Sequence, residues 1–414
     1  MAGVTRARAA RPARLLATVA AGLALASCGV PQAAITAVPE AAAQARQDAA
    51  TASPSAAPSP SASPAPTPTA LGAGEGTVNV LALRGYAEYG GSDPAVNWIA
   101  PFEQETGCRV RLTYTDRGER FERTLAEGSF DVVSAPPEVA GRLIAEGEAA
   151  PLATGLIPHY RDLPKWLRTL PAFTAGGRVY GVPYLWAYHQ IGYDRAQAGR
   201  GAEPKDLGAL FRGPGPVLLR DDPLTIAAAA LAIEGEGRPE DPFRLTPDQL
   251  DAAAGLLAVH GEAERSFWRG TGDVVRGFAA GRVRLAQALP YQVGVLARAG
   301  RPVQGVTPDR TTGWADAWLV TANAAHVNCA YRWLGHVISA GVQREAAAWN
   351  GMAPANPAAC TGRTRRICAD YRVGDPDLPR RIAFAVRPTA DCGDGTGRCT
   401  DYAEWRRRWS ELVR

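Results

Sequence analysis

The chain has 414 residues, of which 46% are hydrophobic and 21% are charged, and its formal net charge is +4. Such a chain is too long for one typical hydrophobic core, so we expect a soluble protein with two lobes or domains. Four arginines and no acidic residue lie within residues 1–27. Because the remaining residues carry no net formal charge, a nucleic-acid-binding surface is not expected.

The N-terminal region has the pattern of an export signal. Its four arginines precede the apolar run LLATVAAGLALA, residues 15–26, which is too short to span a bilayer. The run ends in LASC, which resembles the cleavage box of bacterial lipoproteins. The resemblance implies a lipoprotein signal peptide at residues 1–27 and a lipid on the sulfur of Cys28, which would hold the protein at the outer face of the bacterial cell membrane. An ordinary signal with a chance cysteine is the alternative.

Residues 28–76 have the composition of a linker. They are rich in alanine, proline and serine, with PSPSASPAPTPTA near their centre, and offer few large apolar side chains. We predict that this segment is disordered and partly extended.

The folded part is predicted to begin at Thr77 and to alternate strands with helices. VNVLAL is a buried strand, AVNWIAPFEQETG a helix that ends at Gly107, and CRVRLTYT a second strand. RFERTLAEG then predicts a helix and FDVVSAP another buried strand. This βαβαβ order predicts an α/β fold with parallel strands.

The second half continues the alternation. GPVLLRDD predicts a strand that leads into an alanine-rich helix starting at or near Asp222, and Thr246 is expected to cap the following helix. The C-terminal YAEWRRRWSEL predicts an amphipathic packing helix, with Trp405, Trp409 and Leu412 on one face.

Cysteine usage fits an exported protein. If Cys28 carries lipid, six cysteines remain, and an even number favours disulfides. Two close pairs predict small loops, and the last two cysteines would then pair with each other. The predicted disulfides are Cys360–Cys368, Cys392–Cys399 and, by elimination, Cys108–Cys329. No pair has CxxC spacing and the five histidines are scattered, so no metal site is expected.

Catalytic signatures are absent from the sequence. GAGEG at residues 72–76 precedes a strand instead of following one, and there is neither a P-loop nor a GxSxG elbow. DCGDGTGRC lacks the spacing of a calcium-binding EF-hand and is interpreted as a disulfide-closed loop. We therefore expect no enzymatic activity and no cofactor.

An ordered series of segments resembles the periplasmic solute-binding proteins of ABC importers, and most of all their spermidine/putrescine-binding branch. The segments are FDVVSAP, YGVPYLWAYHQIGYD, LLRDD, GFAAGRVRLAQ and GWADAWLVTANAAHVNCAYRWLGHVIS. The resemblance runs from about Thr77 to the C-terminus. It implies a two-lobed, type II-like α/β fold with a ligand cleft between the lobes and closure about a hinge. We place lobe 1 at residues 77–186 and 314–355, and lobe 2 at residues 187–313 and 356–414.

The resemblance also implies a set of ligand contacts. A polyamine needs carboxylates for its ammonium groups and aromatic faces for its methylene chain. The matching residues are Trp314 and Asp316 of a Trp-x-Asp motif, Asp222, and Tyr86 and Tyr89 in the loop after the first strand. Each has a structural alternative: a plain helix cap for Asp222, loop covering for the tyrosines, hinge packing for Trp314 and a protein partner for Asp316.

Three departures from the family pattern weaken the expectation of spermidine itself. The chain has Thr225 where the family has a glutamate, Leu289 where we align a tryptophan, and SAPPE in place of a hydroxyl-rich cluster. Glu138 could supply a substitute acid or cap a helix. We expect a monomer that hands a small cationic, polyamine-like solute to ABC permease subunits. A lipid-anchored sensor, or a binder of another small polar solute, is the alternative.

Overall fold

The computed structural model describes residues 67–198, 203–213, 215–259, 264–393 and 397–413, all within the compact unit Ala62–Arg414. The predicted signal peptide, Cys28 and most of the predicted linker lie outside these residues. None of the helices within the described ranges has both the length and the hydropathy needed to cross a membrane.

The strands are short, and most belong to one of two sheets. They are β1 (Thr77–Leu83), β2 (Arg109–Thr115), β3 (Val132–Ala135), β4 (Thr174–Ala175), β5 (Arg178–Val179), β6 (Gly181–Tyr188), β7 (Gln190–Asp194), β8 (Val217–Arg220), β9 (Arg265–Trp268), β10 (Leu285–Ala288), β11 (Val303–Val306), β12 (Thr311–Val320), β13 (Ala353–Pro354) and β14 (Ile382–Phe384).

Helices lie between most of these strands. They are α1 (Ile99–Thr106), α2 (Glu119–Glu127), α3 (Pro137–Ala145), α4 (Lys165–Arg168), α5 (Arg195–Ala198), α6 (Gly208–Arg212), α7 (Ile226–Leu231), α8 (Pro247–Ala258), α9 (Thr271–Ala279), α10 (Pro290–Arg298), α11 (Val327–Val337), α12 (Ala340–Asn350), α13 (Arg365–Asp370), α14 (Leu378–Arg381) and α15 (Tyr402–Leu412). Short 3₁₀ turns occupy Thr154–Leu156, Tyr160–Asp162, Pro171–Phe173, Pro223–Thr225, Gly235–Gly237, Pro357–Ala359 and Gly362–Thr364.

The first sheet has the strand order β13–β6–β12–β3–β1–β2, and β14 also pairs with β12. Strands β1, β2 and β3 are parallel to one another, as the predicted βαβαβ order requires, whereas β12 runs antiparallel to β3 and β6. The second sheet has the order β11–β7–β10–β8–β9, with β8 parallel to both β9 and β10. The α/β class predicted from the sequence is confirmed.

The two sheets are joined by chain segments that run side by side. His189 alone separates β6 of the first sheet from β7 of the second, and the return passes from β11 into β12. The His189 backbone N–H donates to the Thr312 carbonyl at 2.9 Å, and the Thr311 hydroxyl donates to the His189 carbonyl at 2.8 Å. Motion of one sheet relative to the other would therefore bend the chain close to this pair of crossings.

Aromatic packing forms the core beside the first sheet. The rings of Trp318 and Trp333 meet edge to face at 5.5 Å, and Phe102 meets Trp333 in the same way at 5.1 Å. All three side chains are fully buried. Helices α1 and α11 are held against β12 by this cluster, because aromatic pairs in this geometry add to the gain from burial.

Several predicted helix ends are present in the structure. Gly107 follows α1 with φ of 70°, the left-handed conformation that glycine adopts most readily, and its N–H bonds back to Glu103. Thr246 caps α8 through a reciprocal capping box with Gln249. Asp222 caps the 3₁₀ turn that precedes α7, since its side chain accepts from the Leu224 N–H at 2.9 Å.

The C-terminal part of the predicted linker is attached to the folded domain, contrary to the prediction of disorder up to residue 76. The Glu75 carboxylate accepts from the backbone N–H groups of Asn328 and Cys329, both at 2.8 Å. It thereby satisfies free N–H groups in the first turn of α11. A linker composition does not reveal such a contact, because the partner lies more than 250 residues away in the sequence.

The three predicted disulfides are confirmed as Cys108–Cys329, Cys360–Cys368 and Cys392–Cys399. The first joins residues 221 positions apart and links the start of β2 to α11, whereas the other two close loops of eight and seven positions.

The length of the loop that each disulfide closes predicts how much that disulfide stabilises the protein. Replacing both Cys108 and Cys329 with alanine is expected to lower the free energy of unfolding by about 5 kcal/mol, against about 2.5 kcal/mol for the same change at Cys360 and Cys368, because a longer closed loop restricts the unfolded chain more. Urea denaturation of the two double variants measures both losses. Equal losses, or a larger loss at the short loop, would contradict this account.

Candidate functional site

A cleft of about 660 Å³ lies between the two sheets. Trp314 of β12, Asn350, Met352 and Tyr402 contribute to its lining, but most of it comes from the segments that follow β1, β2 and β3 in the first sheet and β8, β9 and β10 in the second. All of these segments are at the carboxyl ends of parallel strands, where open α/β sheets bind their ligands. The volume lies within the range of small-molecule sites, which is about 300–1,000 Å³.

The charged residues of the lining are balanced in sign. The lining contains four arginines and four carboxylates: Arg84, Arg117, Arg220, Arg269, Asp116, Glu138, Asp221 and Asp222. Buried Asp316 lies behind the lining and contacts Arg117. Together these groups carry one more carboxylate than they have guanidinium groups.

Asp316 is the most completely buried acid in this region, with no exposed surface. Its Oδ2 accepts hydrogen bonds from the Tyr86 hydroxyl, from Arg117 Nη2 at 2.5 Å and from Trp314 Nε1 at 3.3 Å. Its Oδ1 has no hydrogen-bond partner in the described part of the chain. The carboxylate is therefore compensated by a protein cation and retains one oxygen able to accept a further donor.

The electrostatics of this pair follow from burial and charge. Burial is the largest cause, and the Asp316 carboxylate the next largest, of a pKa of the Tyr86 hydroxyl well above its usual range. Tyr86 therefore remains a donor. Burial works against the charged form of Arg117, but Asp316, Tyr86 and Glu138 together outweigh it and raise the pKa of Arg117. Both partners are thus held in the protonation states that the hydrogen bonds require.

A bulge shapes the strand beside Asp316. Asp316 lies opposite Leu185 of β6, but the next residue, Ala317, lies opposite Pro183, so Tyr184 is left as an extra residue on β6. Proline has no N–H to donate to a ladder, which suits it to this interruption. The Tyr184 hydroxyl donates to the Tyr86 carbonyl at 3.1 Å and thereby supports the loop that brings Tyr86 to Asp316.

Trp314 faces the cleft, but an arginine covers its ring. The Arg220 guanidinium carbon lies 3.8 Å from the centre of that ring, and Arg220 Nη2 pairs with Asp222 Oδ2 at 2.9 Å. Cation–π contact and ion pairing together hold Arg220 in place. The aromatic face and the carboxylate that were predicted to bind a ligand cation thus already contact a guanidinium group.

Glu138 differs from the other carboxylates of the lining. It lies in the first turn of α3 and is only 7% exposed. Asp116, Asp221 and Asp222 each form an ion pair with an arginine, whereas no arginine, lysine or histidine among the described residues lies within ion-pair distance of Glu138. The pKa of Glu138 is raised to about 7. Burial is the largest cause and the nearby Asp222 carboxylate the next, whereas the charge of Arg117 opposes the shift.

The second wall of the cleft is partly aromatic. Trp268 ends β9 and donates from Nε1 to the Gln287 carbonyl at 2.8 Å, which fixes the ring. Tyr402 opens α15 and also lines the cleft. Trp409 of the same helix donates to Asp221 at 2.8 Å. The C-terminal helix, which we predicted to be a packing element, therefore also contributes to the site.

The predicted ligand contacts are only partly brought together. Tyr86, Trp314 and Asp222 line the cleft, and Asp316 contacts two of them from behind it. Tyr89 does not line the cleft: it is 56% exposed and stacks on Tyr114 at 6.4 Å. The assignment of these five residues to a ligand remains a prediction.

Arg117, Arg220, Trp268 and Tyr402 are cleft residues that the sequence did not identify. Arg117 and Arg220 each follow or end a predicted strand, a position that would have marked them. The two arginines did not stand out in the sequence because recognition of a cation is expected from acids and aromatic residues. No group of three or more His, Cys, Asp or Glu side chains is placed to hold a metal ion within the described ranges.

Comparisons with known proteins agree on one family. The model of the family described as bacterial extracellular solute-binding protein matches residues 97–363. The chain is 32% identical over 102 residues to the putrescine-binding periplasmic protein PotF of Escherichia coli, and 37% identical over 109 residues to the putrescine/agmatine-binding protein of Pseudomonas aeruginosa. Each alignment covers 24% of this chain, and 28% and 29% of those two proteins.

Solved structures share the complete fold. The substrate-binding protein PotD of a Streptococcus pneumoniae spermidine/putrescine ABC transporter superposes with a TM-score of 0.61 at 13% sequence identity. The superposition covers 81% of this chain and 97% of that structure. The two-lobed fold of a periplasmic binding protein, which we predicted from the sequence, is therefore confirmed.

The raised pKa of Glu138 predicts a pH-dependent stability change. Its folded-state pKa exceeds the ordinary value of 4.5, so the stability it contributes is fully present below pH 4.5 and is lost as the pH rises through about 7. Replacing Glu138 with glutamine should therefore raise the free energy of unfolding at pH 8, by at most about 3 kcal/mol, and change it little at pH 4.5. Urea denaturation at both pH values measures the effect. The exposed Glu127→Gln is the control, and equal gains at both pH values would contradict the prediction.

Proposed function

Because the chain belongs to the bacterial extracellular solute-binding proteins, we propose that it captures a small organic amine outside the cytoplasm and delivers it to the permease of an ABC importer. Polyamines are the first candidates, since both curated relatives are named for putrescine binding. We further propose that the protein is monomeric, that a lipid on Cys28 tethers it to the outer face of the membrane, and that it catalyses no reaction.

The observation that supports an amine ligand best is the unpaired carboxylate of Glu138. A buried carboxylate without a counter-charge is unfavourable, and a ligand ammonium group would supply the missing charge. Trp268 and Tyr402 line the same cleft and offer aromatic surface to methylene groups and to a cation. We therefore assign the main cation contact to Glu138.

Asp316 and its partners have a supporting role in this proposal. Tyr86, Trp314 and Asp222 remain proposed ligand contacts, and their position in the lining of the cleft supports this. Asp316 reaches a ligand directly only if Arg117 gives way, since Arg117 occupies its Oδ2. Its free Oδ1 is the acceptor that would serve such a contact.

Binding would be coupled to closure of the cleft. Glu138 belongs to the segment that follows β3 of the first sheet, whereas Trp268 ends β9 of the second. A ligand that touches both walls stabilises the closed arrangement over an open one, because only the closed form allows both sets of contacts. The crossings at His189 and Thr312 are the segments about which the sheets would move.

Isothermal titration with putrescine, spermidine and agmatine tests the ligand class. At least one amine is expected to bind, and Glu138→Gln should weaken that binding roughly tenfold or more, since a charged hydrogen bond contributes about 1.5–3 kcal/mol. Asp316→Asn should weaken binding less than Glu138→Gln does. Binding of a sugar, with no response to any amine, would refute the proposal.

Amine binding should also depend on pH. Glu138, with a pKa of about 7, carries most of its charge at pH 8 and little at pH 6, so the dissociation constant for putrescine is expected to be about tenfold higher at pH 6. Putrescine itself stays doubly protonated over this range. Titrations at the two pH values measure the change, and Glu138→Gln should remove it. An unchanged affinity in the unmodified protein would speak against Glu138 as the cation contact.

A further inference from the structure

The cleft contains guanidinium groups where a site for a polycation should contain free acids. Arg117 pairs with Asp316 at 2.5 Å, and Arg220 pairs with Asp222 at 2.9 Å while covering the ring of Trp314. The acids and the aromatic ring implied by the family resemblance are therefore complemented by the protein itself. Only Glu138, among the carboxylates of the described lining, is left for a ligand cation.

We propose that the solute carries a carboxylate as well as an ammonium group, and that Arg117 is the residue that selects it. The solute is then an amino acid with a side-chain amine or guanidine, rather than a simple polyamine. The inference rests on the proposed function, since it specifies which amine the same cleft receives.

The geometry of Arg117 supports this assignment. An arginine side chain has five N–H donors, and within the described part of the chain the Arg117 side chain pairs only with Asp316 through Nη2. The side chain is 33% exposed and lines the cleft, so its other donors face the place that a solute would occupy. A carboxylate matches the planar guanidinium fork, whereas an ammonium group is repelled by it.

Displacement of Arg117 by a ligand ammonium would bring little benefit. Asp316 is fully buried and needs a positive partner at all times, and the tethered guanidinium already provides one. Exchanging one cation for another leaves the number of ion pairs unchanged. A ligand carboxylate instead adds an interaction at Arg117 without breaking the pair with Asp316.

The charge balance of the site also favours a solute that carries a carboxylate. Four guanidinium groups face four carboxylates of the lining, with Asp316 as a fifth acid behind Arg117. One excess negative charge can balance a solute with two amines and one carboxylate, whose net charge is +1. It cannot balance the two charges of putrescine or the three of spermidine, and unbalanced charge is costly in a partly buried site.

Arg220 is less suited to the same task. Its side chain is 13% exposed, and both its charge and its face are engaged by Asp222 and Trp314. It stabilises the wall of the site and adds positive potential near Arg117. Arg220 and Arg117 also line a smaller cavity next to His189. We therefore assign carboxylate recognition to Arg117 and a positioning role to Arg220.

Ligand pairs that differ by one carboxylate provide the test. Ornithine is putrescine with a carboxylate added, and arginine is agmatine with a carboxylate added. Isothermal titration of the mature protein with all four is expected to show at least about tenfold tighter binding of the amino acid in at least one pair. Equal or tighter binding of the amines would overturn this inference and leave the proposed function standing. Absence of binding by all four would overturn this inference, and absence of binding by spermidine as well would overturn the proposed function.

Substitution of Arg117 separates recognition from a structural effect. Arg117→Gln should weaken binding of the preferred amino acid at least about tenfold and strengthen binding of its matching amine, because a competing cation beside Asp316 is removed. Arg111→Gln, at an exposed position on β2, is the matched control and should change neither affinity. A parallel loss for amino acid and amine, or an unchanged preference, would refute the role of Arg117.

A second variant covers the case in which Arg117→Gln fails to fold. The double variant Arg117→Gln, Asp316→Asn removes both charges of the pair, so the Asp316 carboxylate is not left buried without its cation. Circular dichroism first checks that it is folded. The double variant should also lose the preference for the amino acid, and retention of that preference would overturn the assignment.

Discussion

The compensation of one buried carboxylate organises the binding region of this protein. Asp316 has no exposed surface and lies on β12, the strand that pairs with β3, β6 and β14. Its charge is balanced by Arg117 from the segment after β2, and it accepts a hydrogen bond from Tyr86 of the segment after β1. A buried charge without partners is costly, so the contacts with Asp316 hold these two segments against β12. The first wall of the cleft is a consequence of that requirement.

In the second wall, too, carboxylates are paired with arginines, although these groups are more exposed than Asp316. Asp222 caps a helical turn and pairs with Arg220, and Arg220 in turn lies on the ring of Trp314 from the first sheet. Asp221 is held by Arg269 and by Trp409 of the C-terminal helix. Paired charges and aromatic faces therefore line the cleft between the two sheets. Such contacts can be exchanged for ligand contacts, as hinge closure of two lobes requires.

The Glu138 carboxylate costs stability when it is charged. Its pKa is raised because burial disfavours the carboxylate, and the unfavourable state persists without a protein cation within ion-pair distance in the described chain. The nearby Arg117 is engaged by Asp316 instead. Strongly shifted acids in a cleft are candidates for functional groups, which is the basis of the role proposed for Glu138.

The sequence by itself determined the elements and the covalent framework. Apolar runs predicted β1 and β3, and alternation predicted β2. Gly107 and Thr246 predicted helix ends, and cysteine spacing with elimination predicted three disulfides, because these signals act over a few residues or through counting. It also pointed to Asp316 as an acid in need of a partner. Only the tertiary structure decided which partner: Arg117 lies 199 residues away, and the bulge at Tyr184 changes the strand register beside Asp316. Pairing of this kind depends on how distant loops meet at the ends of the sheets, which no local pattern records.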